Sequence, residues 1–258
     1  MPAVDYFRRG SGEPLLLVHG LGGDRSNWTP VIDSLAAEYD VVAPDLPGFG
    51  ASPPLPAGET PTPRALAEAL AGLLDDLDIG TAHIVGNSLG GWVALQLALL
   101  GRARTVTTLC AAGMWSRPLG PRPELPVRRL GRLPSPLLGA VMAPSAVRRR
   151  LLAAFVAHPE RVPRKDAARM AAAYIAAPGY VATNREMRSD HFRGAADIDL
   201  PVTLAWGECD RLIRPRDPGI RGAEMVVLKG CGHLPTWDDP ELVTQVILHT
   251  VSSSLLRS

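Results

Sequence analysis

Short apolar runs recur along the chain, each followed by a stretch in which apolar residues return every three or four positions. Leu15–Val18 is wholly apolar, the pattern of a strand covered on both faces. It stops at a glycine-rich turn, His19-Gly20-Leu21-Gly22-Gly23. Trp28, Val31, Ile32 and Leu35 then fall at helical spacing, which predicts an amphipathic helix capped by Ser26 or Asn27. Val41–Ala43 predicts a second strand, closed by Pro44-Asp45-Leu46-Pro47-Gly48-Phe49-Gly50. Residues 51–63 are proline-rich and read as a loop. Thr62 ends that loop as a helix cap, with Pro63 at the first helical position and Leu66, Leu70, Leu73, Leu74 and Leu77 as the buried stripe. Ala82–Val85 predicts a strand that runs through Gly86-Asn87-Ser88-Leu89-Gly90-Gly91 into a helix over 92–100, and Val106–Cys110 is again strand-like. Further strands are expected at Val202–Trp206 and Met225–Leu228, before a closing helix that Asp239-Pro240 opens.

Residues 114–196 break this rhythm. They are rich in proline and arginine, hold helical pieces at 147–157 and 165–177, and show no strand pattern. Strand and helix alternate in 1–113 and 197–258, which predicts an α/β architecture: a mostly parallel sheet with helices on both faces. The block 114–196 is then a helical insertion into that core.

With 258 residues, 46% of them hydrophobic, the chain is long enough for one large domain carrying an insertion. A net charge of +1 argues against a nucleic-acid partner. No apolar run approaches the roughly 20 residues that cross a bilayer. The first ten residues hold acid and arginine where a signal peptide is apolar. A cytoplasmic protein without a transmembrane segment is expected, and nothing in the pattern specifies an oligomeric state. Cys110, Cys209 and Cys231 lack metal-ligand spacing and cannot all pair, so neither a metal nor a disulfide framework is expected. The charge is uneven, however. Residues 114–196 hold 15 Arg or Lys against five Asp or Glu, a net +10, and the remainder carries −9. The arginines read as solvated helix faces, as an attraction for an anionic substrate or a membrane surface, or as attraction between insertion and core, weakened by salt.

The chemistry begins at Gly86-x-Ser88-x-Gly90. Between a strand and a helix this spacing forms a sharp turn that projects the serine hydroxyl at the end of the sheet. A serine is a weak nucleophile and needs a base, itself oriented by an acid. His233, in Gly230-Cys231-Gly232-His233, and Asp210, in Trp206-Gly207-Glu208-Cys209-Asp210, both follow late strands, and Ser, Asp, His is the chain order expected for such a turn. Glu208 is the alternative acid. An oxyanion needs two backbone N–H donors; Leu89, directly after the serine, and Leu21 in the first glycine turn are the candidates. His19 and Asp45 read as supports of their own turns.

His19-Gly20, Asp45 to Gly50, the Ser88 turn, Trp206-Gly207-x-x-Asp210 and Gly232-His233 together resemble the α/β-hydrolase superfamily, over essentially the whole chain. The resemblance implies an α/β-hydrolase fold of seven or eight strands with a helical cap inserted after the sixth strand, the place of 114–196. It also implies a cofactor-free serine hydrolase acting on a small-molecule substrate. Two departures stand out. Only one short strand fits before Leu15, and residues 211–224, with Pro215, Pro218 and Gly219, leave room for a turn where a helix is usual, which opens the sheet near Ile220. Trp28, Trp115, Ile213 and Leu234, with Leu21 and Leu89, suggest an apolar pocket. Ester hydrolysis is the leading reading. The serine turn is also similar to that of ring-cleavage-product hydrolases, which cut a carbon–carbon bond, as is the position of Trp237. That family places an aromatic after the histidine, where this chain has Leu234, and uses a cap arginine, for which Arg185 and Arg188 are the nearest candidates. A binding protein that keeps the fold without catalysis is the third reading.

Overall fold

Successive residues of a strand point to opposite faces, so a wholly apolar strand must be covered twice. The computed structural model, described for residues 4–120 and 135–253, shows how Leu15–Val18 meets this demand. Leu16 and Val18 are buried against α2 (Pro63–Asp76) and α3 (Leu89–Leu99). Leu15 and Leu17 are buried against α1 (Thr29–Leu35) and α9 (Pro240–Ser252) on the other side.

Between these helical layers lies one seven-stranded sheet among the described residues. Its strands are β1 (Tyr6–Arg9), β2 (Glu13–Val18), β3 (Tyr39–Pro44), β4 (Ala82–Asn87), β5 (Ala103–Leu109), β6 (Val202–Gly207) and β7 (Glu224–Leu228), in the spatial order β1-β3-β2-β4-β5-β6-β7. Every pairing is parallel except β1 with β3. The short first strand is exposed along its length and is pinned by a bidentate ion pair, Arg8 Nε and Nη2 to the Asp40 carboxylate at 2.9 and 2.7 Å.

Local chemistry sets the helix boundaries. Thr62 Oγ1 accepts from the Ala65 N–H and Asp239 accepts from the Leu242 N–H, each with proline at the first helical position. The start of α1 differs from expectation. Asp24, rather than Ser26 or Asn27, caps a 3-10 turn over Arg25–Trp28, and α1 follows at Thr29. Helix α3 is apolar nearly all round and is buried accordingly.

Residues between β5 and β6 hold α4 (Ser135–Val141), α5 (Ser145–Leu152), α6 (Arg164–Ala176) and α7 (Tyr180–Ser189), and no strand among the described residues. A buried cluster of Met142, Leu152, Val156, Val162 and Ala167 joins this segment to Leu234 and Trp237 of the core. No helix separates β6 from β7, as the short connection requires, and the single turn α8 (Pro235–Asp238) lies between β7 and α9. The sheet is not open at Ile220, which is buried; the uncovered residues are Met225 and Val227 on β7, on the face away from α9. Among the described residues, no helix is long and apolar enough to cross a membrane.

The close approach of α3 to the sheet generates a stability prediction. A β-carbon on Gly90 would collide with the Val18 carbonyl oxygen, a backbone atom of a central strand. Gly90→Ala is expected to cost at least the about 1–3 kcal/mol typical of overpacking, read as a lower urea midpoint.

Candidate functional site

Three strands end at one edge of the sheet, and each delivers one candidate residue. Ser88 sits between β4 and α3 with φ 55° and ψ −117°, a backbone conformation that a non-glycine residue holds only under constraint. The constraint is dense hydrogen bonding. Its N–H donates to Leu109 O at 2.9 Å, and its carbonyl accepts from Ala112 N at 2.8 Å and Gly91 N at 3.0 Å. A β-carbon on Gly86 would strike the Gly90 carbonyl, so the turn closes this tightly only with glycine there.

The loop after β6 places Asp210, and the loop after β7 places His233. Asp210 Oδ2 lies 2.8 Å from His233 Nδ1, and both side chains are nearly sealed from solvent, 1% and 6% exposed. The carboxylate can only accept, so Nδ1 carries the proton and Nε2 keeps the free lone pair. The other carboxylate oxygen, Oδ1, accepts from the N–H groups of Leu212 at 2.7 Å and Ile213 at 3.1 Å. Burial pushes the Asp210 carboxyl up. The hydrogen bond and charge of His233 and the two backbone donors outweigh it, and the group sits below the ordinary aspartate range. Glu208, the alternative acid, is exposed and accepts from the Gly230 N–H instead.

The His233 loop is fixed from two sides. Asn87, next to Ser88, donates through Nδ2 to His233 O at 2.9 Å and to Leu109 O at 3.0 Å. On the far side, Leu234 N donates to Phe155 O at 2.7 Å. Asp238, buried and unforeseen in the sequence, accepts from Gly232 N at 2.7 Å, Ala157 N at 3.0 Å and His158 N at 2.8 Å. One carboxylate therefore joins the loop carrying the imidazole to the α5–α6 connection. Nothing in the sequence around Asp239-Pro240 marks Asp238 as an acceptor of backbone protons.

The first glycine turn lies against Ser88: a β-carbon on Gly20 would come within 3.0 Å of Ser88 Cβ. His19 holds this turn, with Nδ1 2.8 Å from Gly20 O and Nε2 accepting from Leu46 N at 2.9 Å. Asp45 ties the turn to the loop after β3, accepting from Arg25 N at 2.8 Å and Ala51 N at 2.9 Å. Leu89 is the first residue of α3, where a backbone N–H has no partner in a preceding turn. No described backbone hydrogen bond uses the Leu21 N–H, the turn being closed by Gly23 N to Gly20 O at 3.1 Å. Above Gly22 stand two residues that helical spacing did not single out, Tyr174 of α6 and Tyr180 of α7. Their rings meet edge to face at 5.0 Å, and a β-carbon on Gly22 would touch both.

The four expected pocket residues have different surroundings. Trp28 is a correction: it is 1% exposed and lies in the core beneath α1 and α9 with Leu15, Leu17 and Val31, where an indole fills the gap between helix and sheet. Trp115 meets Trp92 edge to face and donates from Nε1 to Asp190 O at 2.7 Å, joining the two ends of the β5–β6 segment. Ile213 is half-buried against the α2–α3 core and braces Asp210. Leu234 belongs to the cluster shared with α4 to α6.

Cys110 ends β5 with φ 52°, and its sulfur, Asp210 and His233 place potential donor atoms within 4.8 Å of one another. The sulfur accepts from Gly207 N at 3.2 Å. Burial, then the Asp210 charge, raises the thiol well above its ordinary range, so it stays protonated and is a poor ligand. The trio is a hydrogen-bonded cluster in its chemistry.

Comparison with known proteins adds the following. The model of the alpha/beta hydrolase family matches residues 15–246. The chain is 33% identical over 244 residues to the dihydrolipoyllysine-residue acetyltransferase component of the acetoin cleaving system of Pseudomonas putida, covering 92% of this chain and 63% of that protein. It thus spans less than two thirds of that relative. It is 29% identical to the 2-hydroxy-6-oxononadienedioate/2-hydroxy-6-oxononatrienedioate hydrolase of Burkholderia vietnamiensis, over 95% of this chain and 89% of the other. A solved thermophilic esterase from Thermogutta terrifontis superposes with a TM-score of 0.72 at 26% identity, covering 97% of this chain and 93% of its own.

Two predictions come from this geometry. Burial, opposed by the Gly20 carbonyl and the charges of Asp45 and Asp24, lowers the His19 pKa. Its contribution to stability is therefore present above the unfolded value of about 6.5 and is lost as pH falls through the folded one. His19→Gln is expected to flatten the acid limb of unfolding free energy against pH, measured by urea titration. Asp238→Asn replaces one of the two acceptor oxygens that together serve three backbone N–H groups and is expected to cost about 1–3 kcal/mol in the same assay.

Proposed function

The chain belongs to the alpha/beta hydrolase family, and from that premise we propose that it is a cofactor-free serine hydrolase that cleaves a carboxylic ester of a small apolar or amphipathic molecule. The observation that carries this reading is the 2.8 Å contact of Asp210 with His233 Nδ1, on a loop bonded to the residue before Ser88. In this reading Ser88 Oγ attacks the ester carbonyl carbon while His233 Nε2 takes its proton. Asp210 holds the imidazole in the tautomer that leaves Nε2 free and stabilises the cation formed. The N–H groups of Leu89 and Leu21 receive the oxyanion. Collapse expels the alcohol, protonated by His233, and leaves Ser88 acylated. Water, deprotonated by His233, then releases the acid and restores the serine. Residues 114–196 serve as the cap, with Tyr174 and Tyr180 forming the wall over the oxyanion turn.

Carbon–carbon bond cleavage of a vinylogous diketo acid is the competing reading, since the Burkholderia vietnamiensis relative is a hydrolase of that kind of acid. Such a substrate needs a cation for its carboxylate. Arg185 is largely exposed and paired with Glu186, and Arg188 donates to the carbonyls of Gly120 and Leu119. Both candidate cations are engaged elsewhere, which favours the ester.

Ser88→Ala is expected to lower turnover of short p-nitrophenyl esters at least about a thousand-fold and to abolish fluorophosphonate labelling. Asp210→Asn is expected to cost roughly 10³–10⁴-fold in kcat. Unchanged labelling of the Ser88 variant would overturn the assignment. Loss of dienoate absorbance without ester turnover would turn the reading to carbon–carbon cleavage.

A further inference from the structure

The arginines of the β5–β6 segment are not consumed by the site, and their contacts decide among the readings of that charge. Among the described residues, the carboxylate partners of the arginines in this segment lie within it: Arg185 pairs with Glu186, and Arg193 with Asp190. Arg148, Arg161 and Arg164 donate to backbone carbonyls instead. Charge attraction between insertion and core is therefore not what these contacts express. Arg149 and Arg150, on α5, are exposed, and neither guanidinium has an ion-pair or hydrogen-bond partner among the described residues.

The same two helices expose aliphatic side chains. On α4, Leu138 is buried, as is Met142 just after it, while Leu137 and Val141, one turn apart, are 50% and 46% exposed. On α5, Leu152 is buried while Leu151, beside Arg150, is 49% exposed. Arg148 Nη1 binds the carbonyls of Met142 and Ala143 at 2.7 and 2.8 Å, which fastens the start of α5 to the end of α4. A soluble surface rarely sets several large aliphatic residues out on neighbouring helices without a partner. Over residues 135–159 the chain holds three arginines, Arg148, Arg149 and Arg150, and no acid.

We propose that the outer face of α4 and α5 is a docking surface for an anionic lipid bilayer. Leu137, Val141 and Leu151 enter the acyl boundary, and Arg149 and Arg150 meet the headgroup phosphates. Charge decides for lipid over a second copy of the chain, because two such faces would set arginine against arginine with no acid to separate them. Aliphatic residues without an exposed aromatic platform are unsuited to nucleic acid, whose single strands are held by stacking. The association is peripheral, since no described helix can span a bilayer. Met142, just after α4, and Leu152 of α5 share a buried cluster with Leu234, next to His233, so docking would bring the lipid surface to the outside of the wall beside the proposed base.

The test is co-sedimentation of the full chain with vesicles of phosphatidylcholine alone or mixed with phosphatidylglycerol. Wild type is expected to sediment with the mixed vesicles only and to be released by salt. Arg149→Glu/Arg150→Glu is expected to weaken that binding about ten-fold or more, and Leu151→Ser to weaken it as well. Both variants should keep the wild-type melting temperature and turnover of a soluble ester. Absence of binding to either vesicle, equal binding to both, or binding unaffected by the two variants would overturn the proposal. So would a concentration-dependent dimer that the same substitutions dissolve.

Discussion

The backbone contact between the start of α3 and the central strands governs the rest of the molecule. Gly86, Gly90 and the Val18 carbonyl meet with no room for a side chain, and Ser88 is held in its strained conformation because the chain on both sides of it is locked. The same closeness fixes the first glycine turn, since Gly20 rests on Ser88. Ser88, its neighbouring N–H groups and the first parallel strand are thus packed as one unit. Preorganisation of this kind makes a site effective before any substrate arrives.

A second unit is built around His233. Two interactions hold His233: Asp210 fixes the tautomer of the imidazole, and Asn87 holds the backbone carbonyl. Asp210 itself is braced by its own loop, through Leu212 and Ile213, so its charge is satisfied before His233 draws on it. Cys110, neutral and buried beside both, fills the space beneath them without competing for the proton. The arrangement keeps a carboxylate ionised in a nearly water-free place by giving it donors rather than solvent.

Much of this could be read from the chain. The wholly apolar strands and the periodic helices α2 and α9 announced a parallel sheet covered on both faces, and the Thr62-Pro63 and Asp239-Pro240 caps marked helix starts to the residue. Glycine spacing around Ser88 worked for the same reason: close backbone approach leaves no alternative residue. Other features left no such trace. Helix α7 buries only Thr183 and Met187, too few to form a stripe, and α4 begins in a run of prolines. Trp28 was misplaced because an indole after a glycine turn is equally at home in a pocket and under a helix. Asp238 was invisible because its partners are backbone N–H groups far along the chain, which carry no sequence identity at all.

That last point bears on how such a protein can change. The partners of Asp238 are peptide groups at 157 and 158, so nearly any residues would serve there, provided the backbone returns to the same place. This contact therefore leaves the side chains at 157 and 158 unconstrained while fixing where the β5–β6 segment returns. A different helical segment grafted onto this core would have to present two peptide donors at that spot. Otherwise Asp238 would be a buried carboxylate left with the Gly232 N–H and without its other two donors.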